Sequence, residues 1–163
     1  MLSFLKKLLG RRPAKPILTI TDADFGSIQY CEPSEKYAHG GYWQMNDGWT
    51  VSYQRQEVSS ASVPGDESGP SDLARTFILA KRADPESLWR IAEPEIRKLM
   101  EDWPLFAGLS PREAFHIRNI AMDTHATSPQ GWEVCFQTND SLKWVFFCLQ
   151  LKGDEVLSNT IDT

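Results

Sequence analysis

Histidines, the side chains most often used for proton transfer and metal binding, are few and widely spaced in this sequence. His39 lies in a glycine-rich stretch beside aromatic residues, whereas His116 and His125 flank one predicted strand. Asp123 could orient His125 as the general base of a small-molecule hydrolase, although an exposed loop pair explains the same residues. The sequence has no HExxH motif, no His/Cys metal spacing, no GxSxG motif and no glycine-rich phosphate loop. We therefore predict no catalytic residue, no metal site and no cofactor.

Two carboxylates lie close together at one place in the sequence, and three serine hydroxyls lie close together at another. Asp22 and Asp24 could form a carboxylate pair, but aspartates are common in turns for conformational reasons alone. Ser59, Ser60 and Ser62 lie in sequence typical of a loop, with no base near them in the chain, so we expect no nucleophile there.

Aromatic residues cluster between positions 37 and 53, and such side chains are common in protein-binding surfaces. They could form a binding platform, or their apolar half could belong to the core; the members are Tyr37, Tyr42, Trp43, Trp49 and Tyr53. A loop predicted over residues 57–72 supplies exposed acids. The predicted binding residues are Tyr37, His39, Tyr42, Asp66 and Glu67.

Charge is unevenly distributed along the 163 residues, a length typical of one domain. The chain has 17 lysines and arginines and 22 aspartates and glutamates, for a net charge of −5. Residues 1–15 hold five of the bases and no acid, so residues 16–163 carry 12 bases and 22 acids, a net charge of −10. A body this acidic repels phosphate backbones, so we expect no nucleic-acid partner.

The N-terminal segment, residues 1–15, is basic and apolar and precedes a single predicted domain at residues 16–163. It is shorter than the roughly 20 apolar residues of a membrane-spanning helix, and its charges follow the apolar residues, unlike a secretory signal. As a helix it could contact a membrane surface weakly; a frayed terminus or a helix docked on its own domain are the alternatives. The predicted membrane-interface residues are Leu2, Phe4, Leu5, Lys6, Lys7, Leu8, Leu9, Arg11 and Arg12.

The cysteines, Cys31, Cys135 and Cys148, are far apart, odd in number and include no CxxC motif. A reducing cytoplasm therefore fits better than a disulfide framework. Cys135 and Cys148 lie in apolar, strand-like runs, which favours buried free thiols. We predict a cytoplasmic protein, with any peripheral contact at the inner face of the membrane.

One apolar stripe at helical spacing marks the longest predicted helix, residues 83–103. The stripe recurs at steps of three or four residues through Leu88, Ala92, Ile96, Leu99 and Trp103. Asp84 is the predicted N-cap, and Pro85 suits the first helical position. Pro94 predicts a kink or a break near Glu93, because proline removes a backbone hydrogen bond and clashes with the preceding turn.

Before this helix, β-branched and alternating runs predict strands at residues 17–21 and 25–31. A hairpin with a three-residue loop at 46–48 follows. This loop is favoured because it pairs Met45 with Trp49 and Trp43 with Val51, which places the apolar side chains on one face.

A shorter helix is predicted over residues 72–81, with Ser71 as its cap and a strand at 76–80 as the alternative. Its inner face is predicted to hold Leu73, Phe77 and Ala80.

The second half of the chain predicts a helical turn followed by strands. Ser110 and Glu113 have the form of a capping box, and a strand follows at residues 116–122, with a longer helix as the alternative. Further strands are predicted near residues 132–137, 144–151 and 155–161. The predicted fold is α+β: a mostly antiparallel sheet of about seven to eight strands, in the order strands, helices, strands, with the helices packed on one face.

Several weak motifs accompany this layout: Asp24-Phe-Gly-Ser-Ile28, Gly48-Trp49, the central helical segment and Gly153-Asp-Glu-Val156. With them, residues 17–163 resemble a broad group of small bacterial α+β domains of unknown function, some of which are immunity proteins of polymorphic toxin systems. The resemblance implies a non-enzymatic protein-binding module that occludes a toxin, and the acidic body suits a basic nuclease toxin. A peripheral membrane protein and a small-molecule hydrolase are the alternatives.

Overall fold

In the computed structural model of the protein, the residues described are 17–34, 40–45, 58, 60–122, 131–139 and 142–163. They form an α+β fold with a mostly antiparallel, open sheet of nine strands and three helices. The strands are β1 Thr19–Asp22, β2 Gly26–Cys31, β3 Tyr42–Met45, β4 Ser60–Asp66, β5 Gly69–Pro70, β6 Phe115–Met122, β7 Gly131–Thr138, β8 Phe146–Lys152 and β9 Glu155–Asp162. The helices are α1 Asp72–Ala83, α2 Pro85–Glu101 and α3 Pro111–Ala114, with a 3-10 turn at Pro104–Phe106.

The main path of the sheet runs β1-β2-β3-β4-β6-β7-β8-β9, and β5 pairs with β4 beside this path. Neighbouring strands are antiparallel except β4 and β6, which pair in parallel from Ser60–Asn119 to Ser62–Ala121. This exception follows from the chain order, because the three helices connect β4 to β6 and a parallel pair needs such a long crossover. The predicted α+β class with a mostly antiparallel sheet is confirmed.

The core lies where the helices meet the sheet. Trp89 of α2 packs against Phe136 of β7 with ring centroids 5.0 Å apart, and Phe77 of α1 meets Trp132 of β7 at 5.6 Å. The predicted stripe of α2 is confirmed over most of its length, since Leu88, Ala92, Ile96 and Leu99 are all buried. Only its last member, Trp103, is half-buried.

Helix α2 runs without interruption from Pro85 to Glu101, so the chain does not break near Glu93; the other form of that expectation, a kink, stays a prediction. Pro94 is exposed, and so is Arg90, whose carbonyl oxygen would otherwise accept the missing hydrogen bond. On an exposed helix face, solvent can satisfy a carbonyl that lacks its helical partner, which lowers the cost of a proline there. The predicted cap is confirmed: Asp84 accepts from the backbone N–H of Ser87 at 3.1 Å.

The loop predicted over residues 57–72 is wrong, because residues 60–66 form β4 inside the sheet. Ala61 and Val63 are fully buried, whereas Ser60 and Ser62 point to the opposite face and are hydrogen bonded there. Buried and hydrogen-bonded side chains alternate along β4 as in other strands. The residues of β4 are small, however, and small residues are also common in loops, which is why the sequence indicated a loop. β4 and β5 raise the strand count to nine among the described residues, above the seven to eight predicted.

The predicted pairing of Trp43 with Val51 is also wrong. Trp43 lies opposite Tyr30 of β2 on one side and Val63 of β4 on the other, so both edges of β3 are occupied at that position. The predicted three-residue loop and the Met45–Trp49 pair lie outside the described residues.

The helix predicted over residues 72–81 is confirmed as α1, and Ser71 caps it by accepting from the Ala74 N–H at 3.2 Å. Its inner face matches the prediction only in part: Phe77 packs against Trp132 of β7, whereas Ala80 is exposed. Ala74 and Ile78 are the buried residues, whereas Leu73 is 49% exposed. The buried face of α1 therefore holds Ala74, Phe77 and Ile78 and excludes Leu73 and Ala80.

The segment that starts at Ser110 follows the prediction closely. The Ser110 N–H donates to Glu113 Oε2 at 2.8 Å, α3 lasts one turn, and β6 begins at Phe115. The strand prediction over residues 116–122 is confirmed, and the longer helix is excluded.

The prediction of free thiols is wrong for two of the three cysteines. Cys135 and Cys148 form a disulfide between directly opposed residues of β7 and β8, with Cα atoms 4.1 Å apart. The register of the two strands places both side chains on the same face, which the cysteine count alone does not reveal. Cys31 is a free, half-buried thiol.

Candidate functional site

Of the five predicted binding residues, Tyr37 and His39 lie outside the described residues. Tyr42 is half-buried on β3, opposite Cys31 of β2. Burial raises the pKa of the Tyr42 hydroxyl to about 12, and hydrogen bonding to the Cys31 side chain adds to the shift. Tyr42 is therefore neutral at physiological pH and packs within the sheet.

Asp66 is the last residue of β4 and Glu67 begins the tight turn to β5; both are exposed. Asp66 Oδ1 accepts hydrogen bonds from the Ser68 hydroxyl and from the Ser68 N–H at 2.8 Å. These bonds lower the pKa of Asp66. The carbonyl oxygen of Asp66 also accepts from Trp43 Nε1 at 2.9 Å, so this residue closes the turn. The assignment of these residues to a binding surface stays a prediction.

The predicted membrane-interface residues, Leu2 to Arg12, also lie outside the described residues. Among the helices of the described ranges, none has the length and apolar content needed to cross a bilayer.

The predicted carboxylate pair is an ion-pair cluster centred on Arg75 of α1. The guanidinium donates to both carboxylate oxygens of Asp22, at 2.9 and 2.5 Å, and to Asp24. Arg75 lowers the pKa of Asp22 to about 2. The same guanidinium lies 5.3 Å from the centroid of the Phe25 ring. The cluster attaches the β1–β2 hairpin to α1, which is a structural role.

The other chemical candidates do not form a catalytic set within the described part of the chain. His116 is buried, with Nδ1 3.1 Å from Asn139 Oδ1. The Ser60 hydroxyl donates to Asn119 Oδ1 at 2.8 Å, and the Ser62 hydroxyl donates to Gln44 Oε1 at 2.7 Å. The hydrolase hypothesis required His39 or His125, and both lie outside the described ranges.

A groove of about 480 Å³ lies where α2 ends and the chain turns towards α3. We call it the α2 groove; it is lined by Arg97, Met100, Glu101, Asp102, Trp103, Pro104, Phe106, Ala107, Gly108, Leu109 and Pro111. Trp103 stacks on Phe106 with ring centroids 6.1 Å apart and an interplanar angle of 23°. Phe106 is buried and packs in turn on Phe115 of β6 at 5.2 Å, so the groove is attached to the core.

Backbone geometry holds the open side of the α2 groove in place. The Phe106 N–H donates to the Trp103 carbonyl at 3.0 Å, and the Leu109 N–H donates to the Phe106 carbonyl at 3.0 Å. Gly108 has φ +81°, a conformation that glycine adopts without a steric penalty. The resulting turn leaves Leu109 36% exposed beside the half-buried Trp103.

The electrostatics of the α2 groove are dominated by the end of α2. Glu101 and Asp102 are exposed there, next to the negative end of the helix dipole, where acids are normally disfavoured. Lys98, the base in the last turn, is paired with Glu95 at 2.7 Å instead. Within the described residues neither groove carboxylate forms an ion pair. The α2 groove therefore joins apolar side chains to two carboxylates and one guanidinium, that of Arg97, so its lining carries a net charge of −1.

Sequence reasoning missed this groove because it assigned Trp103 to the core stripe. The two acids at the carboxyl end of α2 could have indicated this site. Bases are favoured at that end of a helix, so acids there are unfavourable for helix stability.

A second cluster, of metal-ligating residue types, lies on β7 and β8. Donor atoms of Glu133, Cys135 and Cys148 all lie within 4.8 Å of one another. Burial raises the pKa of Glu133 because its charged form is poorly solvated. With the disulfide formed, the two sulfurs are bonded to each other.

Comparison with protein-family models, with curated proteins and with solved structures finds no match to this chain. The resemblance to immunity proteins therefore stays a prediction, and the function is argued from the geometry alone.

Proposed function

We propose that this chain is a non-enzymatic protein-binding module whose α2 groove receives an exposed segment of a partner protein. The segment carries a lysine or arginine next to an apolar side chain. The observation that carries the proposal is the combination of Trp103, Met100 and Leu109 with the carboxylates of Glu101 and Asp102, which form no ion pair among the described residues, in one groove.

The apolar part of the groove fits the apolar side chain of such a segment, and the acidic part fits its lysine or arginine. An apolar side chain of the partner would lie against Trp103, and tryptophan is the residue type most enriched at binding hot spots. The neighbouring base would meet Glu101, Asp102 and the negative end of the α2 dipole, where a cation is favoured.

The charge of the whole body supports a basic partner. Residues 16–163 carry a net charge of −10, which would speed encounter with a basic surface. A basic toxin held by an immunity-like protein is one partner of this kind, and the proposal includes that role.

The proposal includes two further expectations, one about helix packing and one about cellular location. The first is that α1 and α2 pack on one face of the sheet, supported by their contacts with Trp132 and Phe136, four residues apart on β7 and so on the same face. The second is the cytoplasmic location, which requires that Cys135 and Cys148 be a dithiol in the cell, since disulfides persist mainly in oxidising compartments.

A selection with random dodecapeptides displayed on phage tests the proposal. The library is selected on the wild-type chain, and enriched peptides are measured by fluorescence polarisation against variants. We expect enriched sequences to place Arg or Lys beside Leu, Phe or Trp. Trp103→Ala should weaken binding by about tenfold or more. The double change Glu101→Gln and Asp102→Asn should weaken it by roughly threefold to tenfold and reduce its salt dependence.

Matched controls come from residues outside the groove lining. Trp144 is 45% exposed, and Trp144→Ala should leave peptide binding unchanged. The pair Asp154→Asn and Glu155→Gln makes the same charge change in the β8–β9 turn and should have little effect. Peptides that bind Trp103→Ala and the wild-type chain equally would refute the proposal.

A further inference from the structure

The facing strands β7 and β8 place three metal-ligating side chains on one face of the sheet. Cys135 lies directly opposite Cys148, and Glu133 lies opposite Gln150. Residues two apart on a strand share a face, so Glu133 and Cys135 project together towards the side that Cys148 and Gln150 also occupy. The register alone therefore assembles two sulfurs, one carboxylate and one amide.

Hydrogen bonds orient the carboxylate within this group. Gln150 Nε2 donates to Glu133 Oε2, which fixes one oxygen. The other oxygen, Oε1, lies 3.2 Å from Cys135 Sγ. An amide that holds one carboxylate oxygen while the other faces a ligand position is a common arrangement around metal sites.

The donor set suits zinc. Zn²⁺ takes cysteine thiolates and carboxylate oxygens in tetrahedral geometry, with bonds of about 2.0–2.3 Å, and such ligand atoms lie roughly 3.5 Å apart. The donor atoms of Glu133, Cys135 and Cys148 lie within 4.8 Å of one another, so modest side-chain rotations after the disulfide opens would bring them to that spacing.

The surroundings of Glu133 also favour a cation. Glu133 is half-buried and forms no ion pair among the residues described, so no cationic side chain there neutralises its carboxylate. Two thiolates and a carboxylate would together require a divalent cation to be stable in this partly buried position.

We propose that Glu133, Cys135 and Cys148 form a Zn²⁺ site in the reduced protein, and that formation of the Cys135–Cys148 disulfide closes it. This site is independent of the α2 groove. A dithiol reductant supplies two electrons and two protons by thiol–disulfide exchange, giving two cysteine thiols and the oxidised, disulfide form of the reductant. Zn²⁺ then binds both sulfurs and releases two thiol protons, with water in the fourth position.

The test uses the full chain, reduced with a phosphine and freed of reductant under argon, beside the oxidised chain. Zn²⁺ is titrated in competition with a chromophoric chelator, and Co²⁺ is added separately as a spectroscopic probe. We expect one Zn²⁺ per reduced chain, bound at least 100-fold more tightly than by the oxidised chain. Co²⁺ should give a thiolate-to-metal charge-transfer band with the reduced chain alone.

Variants assign the ligands. Cys135→Ser and Cys148→Ser should each abolish the cobalt band, and Glu133→Gln should weaken Zn²⁺ binding by about tenfold. Cys31→Ser, which removes the free thiol, should leave the affinity and the band unchanged.

A measurement on the wild-type chain covers the case in which a cysteine variant fails to fold. Zn²⁺ should protect Cys135 and Cys148, but not Cys31, from alkylation mapped by mass spectrometry. Equal Zn²⁺ affinity in the two redox states, or no protection of Cys135 and Cys148, would overturn the proposal.

Discussion

Replacing Asp22 with asparagine removes the negative charge that holds Arg75 between the β1–β2 hairpin and α1. The native pKa of Asp22 is about 2, against 3.8 for the same group in an unfolded chain, and the first cause is the hydrogen bonding to Arg75. The side chain of Asp22 is only 8% exposed, so solvent screens this pair little. Each tenfold change in proton affinity corresponds to about 1.4 kcal/mol, so Asp22→Asn should cost about 2 kcal/mol at pH 7.

The pH dependence of this loss has a defined sign. Because the native pKa is lower than the unfolded one, the contribution of Asp22 is complete above about pH 4. It is lost as the pH falls through about 2, below which Asp22 is protonated in both states. The stability difference between wild type and Asp22→Asn should therefore be constant from pH 7 to pH 5 and shrink towards zero near pH 2.

Urea unfolding followed by tryptophan fluorescence, at several pH values from 7 to 2, measures both effects. Asp24→Asn is the matched control, because Asp24 is 42% exposed and contacts Arg75 through one oxygen; it should cost less than about 1 kcal/mol. A difference below 0.5 kcal/mol for Asp22→Asn at pH 7, or one that does not change with pH, would refute this explanation (the threshold is roughly the usual effect of a neutral surface substitution).

Three further predictions concern core packing, the close approach of two backbones, and the ion pairs of Arg112. Ile78→Ala should lower the unfolding free energy by about 3 kcal/mol and Leu73→Ala by less than about 1 kcal/mol in urea titrations, because Ile78 is fully buried and Leu73 is 49% exposed. Gly65→Ala should cost about 2 kcal/mol in the same assay, since the added methyl would overlap the carbonyl oxygen of Gly69. Arg112→Ala should lower the thermal midpoint measured by circular dichroism, with a loss of roughly 1 kcal/mol, because its guanidinium pairs with Glu86 and Glu93 and lies over the Trp89 ring.

Local patterns were sufficient for the elements whose signals lie within a few residues of each other. Helix α2 has a stripe at helical spacing together with Asp84 and Pro85 at its start, and these features determine its beginning and its buried face. The turn at Ser110 and the strand β6 were predicted for the same reason, since Glu113 reaches back to the Ser110 N–H.

Non-local pairing explains the elements that were missed. β4 has serine, alanine and glycine where strands usually have larger residues, and it becomes a strand because β3 and β6 lie on either side of it. Ser60 pairs with Asn119, 59 positions later in the chain, and no local pattern carries that contact. The Cys135–Cys148 pair likewise depends on the register between β7 and β8.

The candidate site was missed for a related reason. The α2 groove forms where the end of a helix, a 3-10 turn and the residues before α3 come together, and each of these alone has ordinary sequence. The sequence placed Trp103 in the buried stripe because the helical period continues to it. The helix ends before Trp103, which leaves its ring on the rim of the core.

The most direct test of the protein-binding account is a nuclear magnetic resonance titration of the labelled chain with a peptide selected by the wild-type protein. The account predicts that the Trp103 indole N–H and the backbone amides of the non-proline residues in 97–111 shift together, while the indole N–H of Trp144 stays in place. Shifts confined to the β4–β5 turn at Asp66 and Glu67, with Trp103 unmoved, would contradict it.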